Sequence, residues 1–286
     1  MTRRWLVTGC SSGLGLALAR AVLAAGDQLL ATTRRPSPLD ALAAEHPEQL
    51  VTATLDLGDA VAAEAAVRLA ADRFGGVDVL VNNAGTGLFG AVEEVSDAEL
   101  RAQLETLVVA PWRLARLVLP LMRAQGSGHI LNVSSLAGRM AWPGLSAYVT
   151  GKYALEGMSQ ALAAEAGPLG IRVTVLEPGG FATGYGDALA EAAARVPAYA
   201  PSTTPMRDAL RGMRENESLG RPEDFADLVL RVVAAPSAPL RLPVGDDAHT
   251  YVAAVEELGR QELAAARAFA LGDPTTAPVP APTRAS

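Results

Sequence analysis

The feature that most constrains the fold of this sequence is a regular alternation of short apolar runs with stretches of helical spacing. Residues 5–8 are an apolar run that ends at Gly9, and a helical pattern then covers residues 14–26. The alternation continues with the strand patterns QLLATT (28–33), LVTATL (50–55) and VDVLVNNAG (77–85), separated by helical patterns near Pro38 and over 59–74. Because strands separated by helices pair in parallel, the sequence predicts an α/β fold with right-handed crossovers.

The second half of the chain continues this alternation with longer elements. The expected elements are a helix over 96–123 bent at Pro111, the strand GHILNVSS (128–135), a helix over 146–168, the strand IRVTVLEPGG (171–180), a helix over 221–234, a strand near LRLPVG (240–245) and a helix over 248–271.

Two segments lack this regular pattern. Pro197, Pro201 and Pro205 interrupt weak helical signals between residues 181 and 220, which predicts a mobile flap over a site. The last residues, 273–286, are rich in Pro, Ala and Thr, which is typical of a disordered tail. We therefore expect one domain over residues 1–272.

Composition excludes several classes of function. The net charge of −7 argues against binding to nucleic acid or to an anionic membrane surface. Cys10 is the only cysteine and the three histidines are scattered, so we expect no disulfide and no metal site. Glycines and Arg20 interrupt the apolar N-terminal run, so we expect neither an export signal nor a transmembrane helix, and a cytoplasmic location.

A glycine-rich loop separates the first strand from the first helix. Its sequence TGCSSGLG (8–15) has the spacing G-x-x-x-G-x-G, and glycines in such a turn let a pyrophosphate approach the backbone at a helix N-terminus. The alternative is a purely structural turn. We expect the loop to bind a dinucleotide through Gly9, Ser11, Ser12, Gly13, Leu14 and Gly15.

The end of the second strand should distinguish NADP(H) from NAD(H). An acidic side chain there would bind the 2′-hydroxyl, whereas Arg34 and Arg35 suit a 2′-phosphate and favour NADP(H), with Arg34 the better candidate. The two arginines could instead belong to a solvated loop. Asp56, which ends the next strand, would contact the adenine or cap the following helix.

Tyr148 and Lys152 lie four residues apart in a predicted helix and so share one face. The pair is either a packed aromatic beside a solvated lysine, or a proton donor whose pKa the ammonium lowers below about 10. Spacing alone favours the packed aromatic, and only partners elsewhere in the chain could favour the proton donor.

An ordered series of motifs along the chain favours the proton-donor interpretation of Tyr148 and Lys152. TGCSSGLG, NNAG (82–85), NVSS (132–135), YVTGK (148–152) and EPGGFAT (177–183) resemble the motif series of the short-chain dehydrogenase/reductase family over about residues 4–270. The resemblance implies a single-domain, doubly wound Rossmann fold with a seven-stranded parallel sheet and helices on both faces. It also implies hydride transfer between a nicotinamide and a carbonyl or alcohol carbon.

The resemblance assigns roles to residues of this chain. Tyr148 would be the general acid or base, Lys152 would lower its pKa and hold the nicotinamide ribose, and Ser135 would hydrogen-bond the substrate oxygen, with Ser134 structural. Asn82, Ala84 and Gly85 would support the sheet and the adenosine side of the cofactor, and Pro178, Gly179 and Thr183 would lie along the nicotinamide and its carboxamide. Family members commonly form homodimers or homotetramers, which we expect here.

One position departs from the family pattern. Leu107 stands where an asparagine usually helps to hold a water beside the lysine, and a leucine side chain cannot do this. Either the position tolerates leucine, or proton delivery or the reaction itself has changed, with Gly151 and Trp112 part of the same local change.

We expect an NADPH-dependent reductase of an apolar, medium-sized ketone or aldehyde. Residues that could border its substrate are Leu88, Phe89, Trp142, Tyr185 and Met206, although each could be plain core. A sugar-nucleotide epimerase or dehydratase is disfavoured because its glycine spacing and large C-terminal domain are missing. The remaining alternative is an NADPH sensor, scaffold or non-redox protein, which Leu107 would favour.

Overall fold

The computed structural model describes residues 2–35, 37–216 and 218–272. The strands in these ranges are β1 (Arg4–Thr8), β2 (Gln28–Thr33), β3 (Leu50–Thr54), β4 (Val79–Asn82), β5 (Leu88–Phe89), β6 (Gly128–Val133), β7 (Ile171–Pro178), β8 (Ala190–Glu191) and β9 (Arg241–Val244). The α-helices are α1 (Gly13–Ala24), α2 (Asp40–Glu45), α3 (Ala60–Phe74), α4 (Asp97–Leu104), α5 (Ala110–Gln125), α6 (Ser146–Ala166), α7 (Ala200–Arg211), α8 (Pro222–Ala234) and α9 (Asp246–Ala270).

Seven strands form one sheet in the order β3-β2-β1-β4-β6-β7-β9, and every neighbouring pair is parallel. This confirms the predicted doubly wound α/β fold. The chain reverses its direction of travel across the sheet between β1 and β4, and such a switch point opens a crevice at the carboxyl ends of the strands. The short strands β5 and β8 pair separately, also in parallel.

Each central strand contributes to both faces of the sheet, because successive side chains point to opposite sides. On β1, Trp5 and Val7 pack into the core beneath α1 and α8, whereas Leu6 packs into the core beneath α3, α5 and α6. This two-sided burial explains why these strands read as continuous apolar runs.

The predicted helix over 96–123 is not continuous. A π-helical segment, Glu105–Val109, separates α4 from α5, and the N–H of Ala110 donates to the carbonyl of Glu105, five residues earlier. Pro111 lies in the first turn of α5 and has no N–H to donate to the carbonyl of Leu107. The interruption is therefore a widened turn just before the proline rather than a bend at it.

The segment over 181–220 contains more secondary structure than predicted. The helix α7 occupies 12 of its residues, and β8 joins it to β5. Pro197 and Pro201 lie in first turns, where the missing N–H has no intrahelical partner to lose, so they begin helices rather than interrupt them. Pro205 alone lies inside α7.

Two expectations concern the ends and surroundings of the chain. The predicted tail, residues 273–286, lies outside the described residues, so its disorder stays a prediction. In the part of the chain that is described, every helix is too short or too polar to cross a membrane.

Candidate functional site

A cavity of about 720 Å³ opens at the carboxyl ends of the parallel strands. Its walls come from the loops after β1, β2, β3, β4, β6 and β7, together with the start of α6 and residues of α7 and α9. The location is the crevice that the reversal between β1 and β4 creates. Most of the predicted site residues meet here, although they are distant in sequence.

All six predicted loop residues line this cavity: Gly9, Ser11, Ser12, Gly13, Leu14 and Gly15. Gly9 has φ +74°, and its N–H donates to the carbonyl of Thr32 over 2.9 Å, which holds the loop against β2. A Cβ on Gly15 would lie 2.2 Å from the Gly9 oxygen, so this position has no room for a side chain. The loop's geometry therefore requires glycine at both positions.

The first turn of α1 has no side-chain cap. Ser12 precedes it in an extended conformation and accepts no hydrogen bond from its N–H groups. Gly13, Leu14 and Gly15 form this turn and border the cavity. A helix N-terminus without a cap offers free donors and a positive dipole end, which suits an anion such as a pyrophosphate.

The two arginines predicted to bind a 2′-phosphate occupy different positions after the end of β2. Arg34 lines the cavity, whereas Arg35 does not, and the backbone N–H of Arg35 donates to Thr33 Oγ1 over 2.8 Å. Asp56 also lines the cavity. The helix α3 is capped instead by Asp59, which accepts from the N–H groups of Val61 and Ala62, so the capping alternative for Asp56 is wrong.

Asn82 lies outside the cavity but supports the sheet, which is one of the two roles expected of it. Its Nδ2 donates to Asn132 Oδ1 over 2.8 Å, and Asn132 Nδ2 donates to Ser159 Oγ over 2.8 Å, so Asn82 ties β4 to β6 and, through Asn132, to α6. The next residue, Asn83, lines the cavity and donates to the carbonyl of Thr8 over 2.8 Å. Ala84 and Gly85 also lie there, as predicted.

Pro178, Gly179 and Thr183 line the cavity beyond the end of β7. Sequence reasoning missed their neighbour Asp247 near the start of α9, whose Oδ2 accepts from the N–H of Gly180 over 2.7 Å. A Cβ on Gly179 would lie 2.2 Å from Asp247 Oδ1. The carboxylate therefore holds the turn after β7 in place.

Ser135, Tyr148 and Lys152 meet in the same cavity. Lys152, the only lysine of the chain, is 4% exposed and donates from Nζ to the carbonyl of Val133 over 2.7 Å. Its Nζ lies 5.5 Å from the centre of the Tyr148 ring. Ser135 is half-buried at the end of β6, and its Oγ accepts from the N–H of Ala137.

Burial moves the pKa of both ionisable groups toward the neutral form. The pKa of Tyr148 is raised above its usual value by burial, although the hydroxyls of Tyr185 and Ser135 act to lower it. The net direction is opposite to the one expected, and the lowering of this pKa by the charge of Lys152 stays a prediction. Burial also lowers the pKa of Lys152 to about 8, against the negative charge of Glu156, which raises it.

A buried ionic cluster lies behind Lys152, one helical turn further along α6. Glu156 is 2% exposed and pairs with Arg241 over 3.2 Å, while the fully buried Glu177 pairs with Arg139 over 3.1 Å. Burial is the largest effect on Glu156 and raises the pKa of its carboxyl. Among the described residues, no cluster of three or more His, Cys, Asp or Glu side chains could hold a metal ion.

Comparison with known proteins agrees with this geometry. The protein-family model described as "short chain dehydrogenase" matches residues 3–194. Oxidoreductase BOA17 of Botryotinia fuckeliana is 38% identical over 259 residues, which cover 90% of this chain and 94% of that protein.

Solved structures resemble the whole fold. A short-chain dehydrogenase from Streptomyces avermitilis superposes with a TM-score of 0.87 at 38% identity, covering 95% of this chain and 98% of that one. An alcohol dehydrogenase from Thermococcus sibiricus, complexed with 5-hydroxy-NADP, has a TM-score of 0.70 at 25% identity and covers 85% and 95% of the two chains. Other related structures hold NADP or NADH, which supports a nicotinamide dinucleotide without selecting between the two forms. The chain therefore belongs to the short-chain dehydrogenase/reductase family of oxidoreductases.

Proposed function

We propose that this protein reduces a ketone or aldehyde with NADPH, or oxidises the corresponding alcohol with NADP⁺. The observation that carries this proposal is that Ser135, Tyr148 and Lys152 share one cavity with the glycine-rich loop and Arg34. The family supplies the reaction class, and the side chains of this cavity supply the arguments for cofactor and substrate.

The cavity fits a dinucleotide phosphate. The uncapped first turn of α1 and the absent side chain at Gly15 leave donors and space for a pyrophosphate. Arg34 would bind a 2′-phosphate, Asp56 would lie near the adenine, and Lys152 would hold the nicotinamide ribose hydroxyls. The bound nicotinamide would supply or accept the hydride. Pro178, Gly179 and Thr183 would border the nicotinamide ring.

Tyr148 and Ser135 would act on the substrate oxygen. As negative charge develops on that oxygen during reduction, the Tyr148 hydroxyl gives it a proton and becomes a phenolate, while the Ser135 hydroxyl donates a hydrogen bond to it. The nearby positive charge of Lys152 stabilises the phenolate electrostatically. In the reverse direction, the phenolate takes the proton from the alcohol.

We further propose an apolar, medium-sized substrate. Of the five residues expected at the substrate pocket, Trp142, Tyr185 and Met206 line the cavity. Leu88 and Phe89 are buried and do not line it. Additional apolar surface comes from Leu145 and Leu210, which sequence reasoning did not single out.

The proposal is tested by NADPH binding, followed by NADPH oxidation with a panel of ketones and aldehydes that increase in apolar size. We expect the Tyr148→Phe variant to bind NADPH with nearly unchanged affinity and to lose on the order of 10² or more in turnover, because it cannot give up a proton. The measurement is the fluorescence of bound NADPH together with the steady-state rate. A similar loss of binding and turnover would contradict the assigned role of Tyr148.

A second candidate is a protein that binds NADP(H) without redox turnover, as a sensor or scaffold. Leu107 favours it, because its buried hydrocarbon side chain stands where the family usually has a polar amide. The same experiment separates the two candidates. NADPH binding with no turnover of any panel member, unaffected by Tyr148→Phe, would favour the sensor.

A further inference from the structure

Leu107 places hydrocarbon directly beside the catalytic amine. It lies in the π-helical segment and is 1% exposed. A Cβ built on Gly85 would lie 3.0 Å from Leu107 Cδ2 and 3.9 Å from Lys152 Nζ, so the two side chains border the same point. Since a leucine neither donates nor accepts a hydrogen bond, residue 107 gives no polar support to Lys152 or Tyr148.

Tyr185 brings a second phenol to the same place from the segment after β7. Its ring centre lies 5.9 Å from that of Tyr148, with the rings tilted by 53°. The hydroxyl lies over Gly87, where an added Cβ would be 2.4 Å from the hydroxyl oxygen. Tyr185 also lines the cavity, so its position is part of the site rather than of the distant core.

Within the described part of the chain, no group lies in hydrogen-bond geometry with the buried Tyr185 hydroxyl, although the Tyr148 hydroxyl is close enough for each to shift the pKa of the other. A buried hydroxyl without a hydrogen-bond partner destabilises the folded protein, so an acceptor for the Tyr185 hydroxyl is expected at this point. The acceptor that the proposed reaction creates nearby is the Tyr148 phenolate. In agreement, the Tyr185 hydroxyl acts to lower the pKa of Tyr148, while Tyr148 acts to raise the pKa of Tyr185, as for a donor and its acceptor.

We propose that Tyr185 is a positioning residue whose hydroxyl donates a hydrogen bond to the Tyr148 phenolate, compensating for the polar group that Leu107 does not provide. This inference rests on the proposed function. When Tyr148 gives its proton to the substrate oxygen, Tyr185 keeps its own proton, because its pKa lies well above the usual value, and it donates only a hydrogen bond. The other polar groups here are Lys152 of α6, whose Nζ lies 5.5 Å from the centre of the Tyr148 ring, and Ser135 after β6, whose hydroxyl acts to lower the pKa of Tyr148.

The test is the pKa of Tyr148 in the full chain labelled with ¹³C at the tyrosine Cζ atoms. The sequence contains 5 tyrosines, and their NMR signals can be assigned by single substitutions to phenylalanine. Because a hydrogen bond to a charged group is lost, we expect Tyr185→Phe to raise the Tyr148 pKa by about one unit or more. Tyr153→Phe, a half-exposed tyrosine on α6, is the matched control and should leave it unchanged.

A second variant tests the same contact from the other side. In Gly87→Ala the new Cβ displaces the Tyr185 hydroxyl, so the Tyr148 pKa should again rise. This variant decides the question if Tyr185→Phe does not fold. An unchanged Tyr148 pKa in the folded variants would overturn the role of Tyr185.

The pH dependence of turnover tests the role of Tyr185 independently of the NMR measurement. For any alcohol that the wild type oxidises, the rising limb of kcat against pH should move to higher pH in Tyr185→Phe, because the phenolate forms less readily. The NMR measurement needs no turnover. Failure to find any substrate would therefore count against the proposed function, while the pKa of Tyr148 would still decide the role of Tyr185.

Discussion

Tyr148 and Lys152 carry their ionisable groups in a buried position, and burial acts on both toward the neutral form. At neutral pH, the raised pKa of Tyr148 and the lowered pKa of Lys152 have different consequences for the charge of the two groups. The raised pKa keeps Tyr148 protonated, as its proposed role of general acid requires, whereas Lys152 with a pKa of about 8 lies close to the point at which it loses its charge. The protonation of Lys152 is therefore the more sensitive variable of the pair.

The only lysine of the chain allows this to be measured directly. With ¹³C at the lysine Cε atom, we expect a single side-chain NMR signal that titrates near pH 8 rather than at the ordinary 10.5. Glu156→Gln removes the negative charge that raises this pKa, so the titration should move below 8. Glu165→Gln, exposed on the same helix, is the control. Titration near 10.5 in the wild type would contradict the effect of burial.

Arg34 and Arg35 form a matched pair for cofactor preference, since only Arg34 lines the cavity. We expect Arg34→Ala to weaken NADPH binding by roughly ten- to a hundredfold, because a charge-assisted contact to the 2′-phosphate is lost. NADH binding should be nearly unchanged, and Arg35→Ala should affect neither cofactor. Fluorescence titration with both cofactors measures the two affinities. Equal weakening of NADPH and NADH would remove the argument for NADP(H).

Among the site residues, the sequence predicts those that belong to local motifs and misses those that tertiary contacts bring to the cavity. Ser135, Tyr148, Lys152 and the glycine loop all reach the cavity as expected. The sequence did not show that Asn83, which follows β4, lines the cavity instead of Asn82, because the residue at which a strand ends cannot be predicted to within one position. Asp247 carried no local signal, since it contacts Gly180 across 67 residues of chain.

The π-helical segment shows how one element shapes the site. Leu107 projects from it against Gly85 and Gly151, and a Cβ on Gly151 would lie 2.8 Å from Leu107 Cδ1. The glycine in YVTGK thus accommodates the leucine. Sequence reasoning linked these two positions, but the widened turn that places Leu107 could not be predicted, because it depends on which backbone donors the following proline removes.

This packing predicts that the effect of Gly151→Ala on the free energy of unfolding changes sign when the Leu107 side chain is shortened. Gly151→Ala should destabilise the wild type by about 1–3 kcal/mol through overpacking against Leu107. In a Leu107→Ala background the same change should stabilise the protein by up to about 1 kcal/mol, because alanine favours the helix. Urea unfolding measures both differences.

Gly157→Ala serves as the control, because Gly157 lies in the same helix with open space around it. It should stabilise both backgrounds equally. A destabilisation by Gly151→Ala that persists without the leucine side chain would show that Leu107 is not the cause.

The whole molecule is the level at which sequence and structure agree best. Periodicity alone predicted parallel strands covered by helices, because every central strand is buried on both faces. The number of strands in the main sheet followed from the family resemblance, and that sheet contains seven among the described residues. The segment containing α7 was the least predictable part, since its weak helical pattern is stabilised by tertiary contacts such as the pairing of β8 with β5.

The oligomeric state stays a prediction, and the surface offers a test. Val109, Trp112 and Tyr153 are exposed by 41%, 58% and 47%, on the π-helical segment, α5 and α6. If these helices form the expected homo-oligomer interface, Trp112→Glu should convert the assembly to monomers in sedimentation velocity, because a charge would be buried there. Leu263→Glu, at an exposed position on α9, should not. A monomeric wild type would contradict the prediction.

The burial of Lys152 within α6 also determines how the protein responds to proteolysis. A protease that cleaves only after lysine has a single target bond in the whole chain, between Lys152 and Tyr153 in the body of α6. A protease needs an extended substrate, so cutting requires α6 to open. The appearance of two fragments therefore reports how often α6 unfolds, and a ligand that stabilises the site should slow this cleavage.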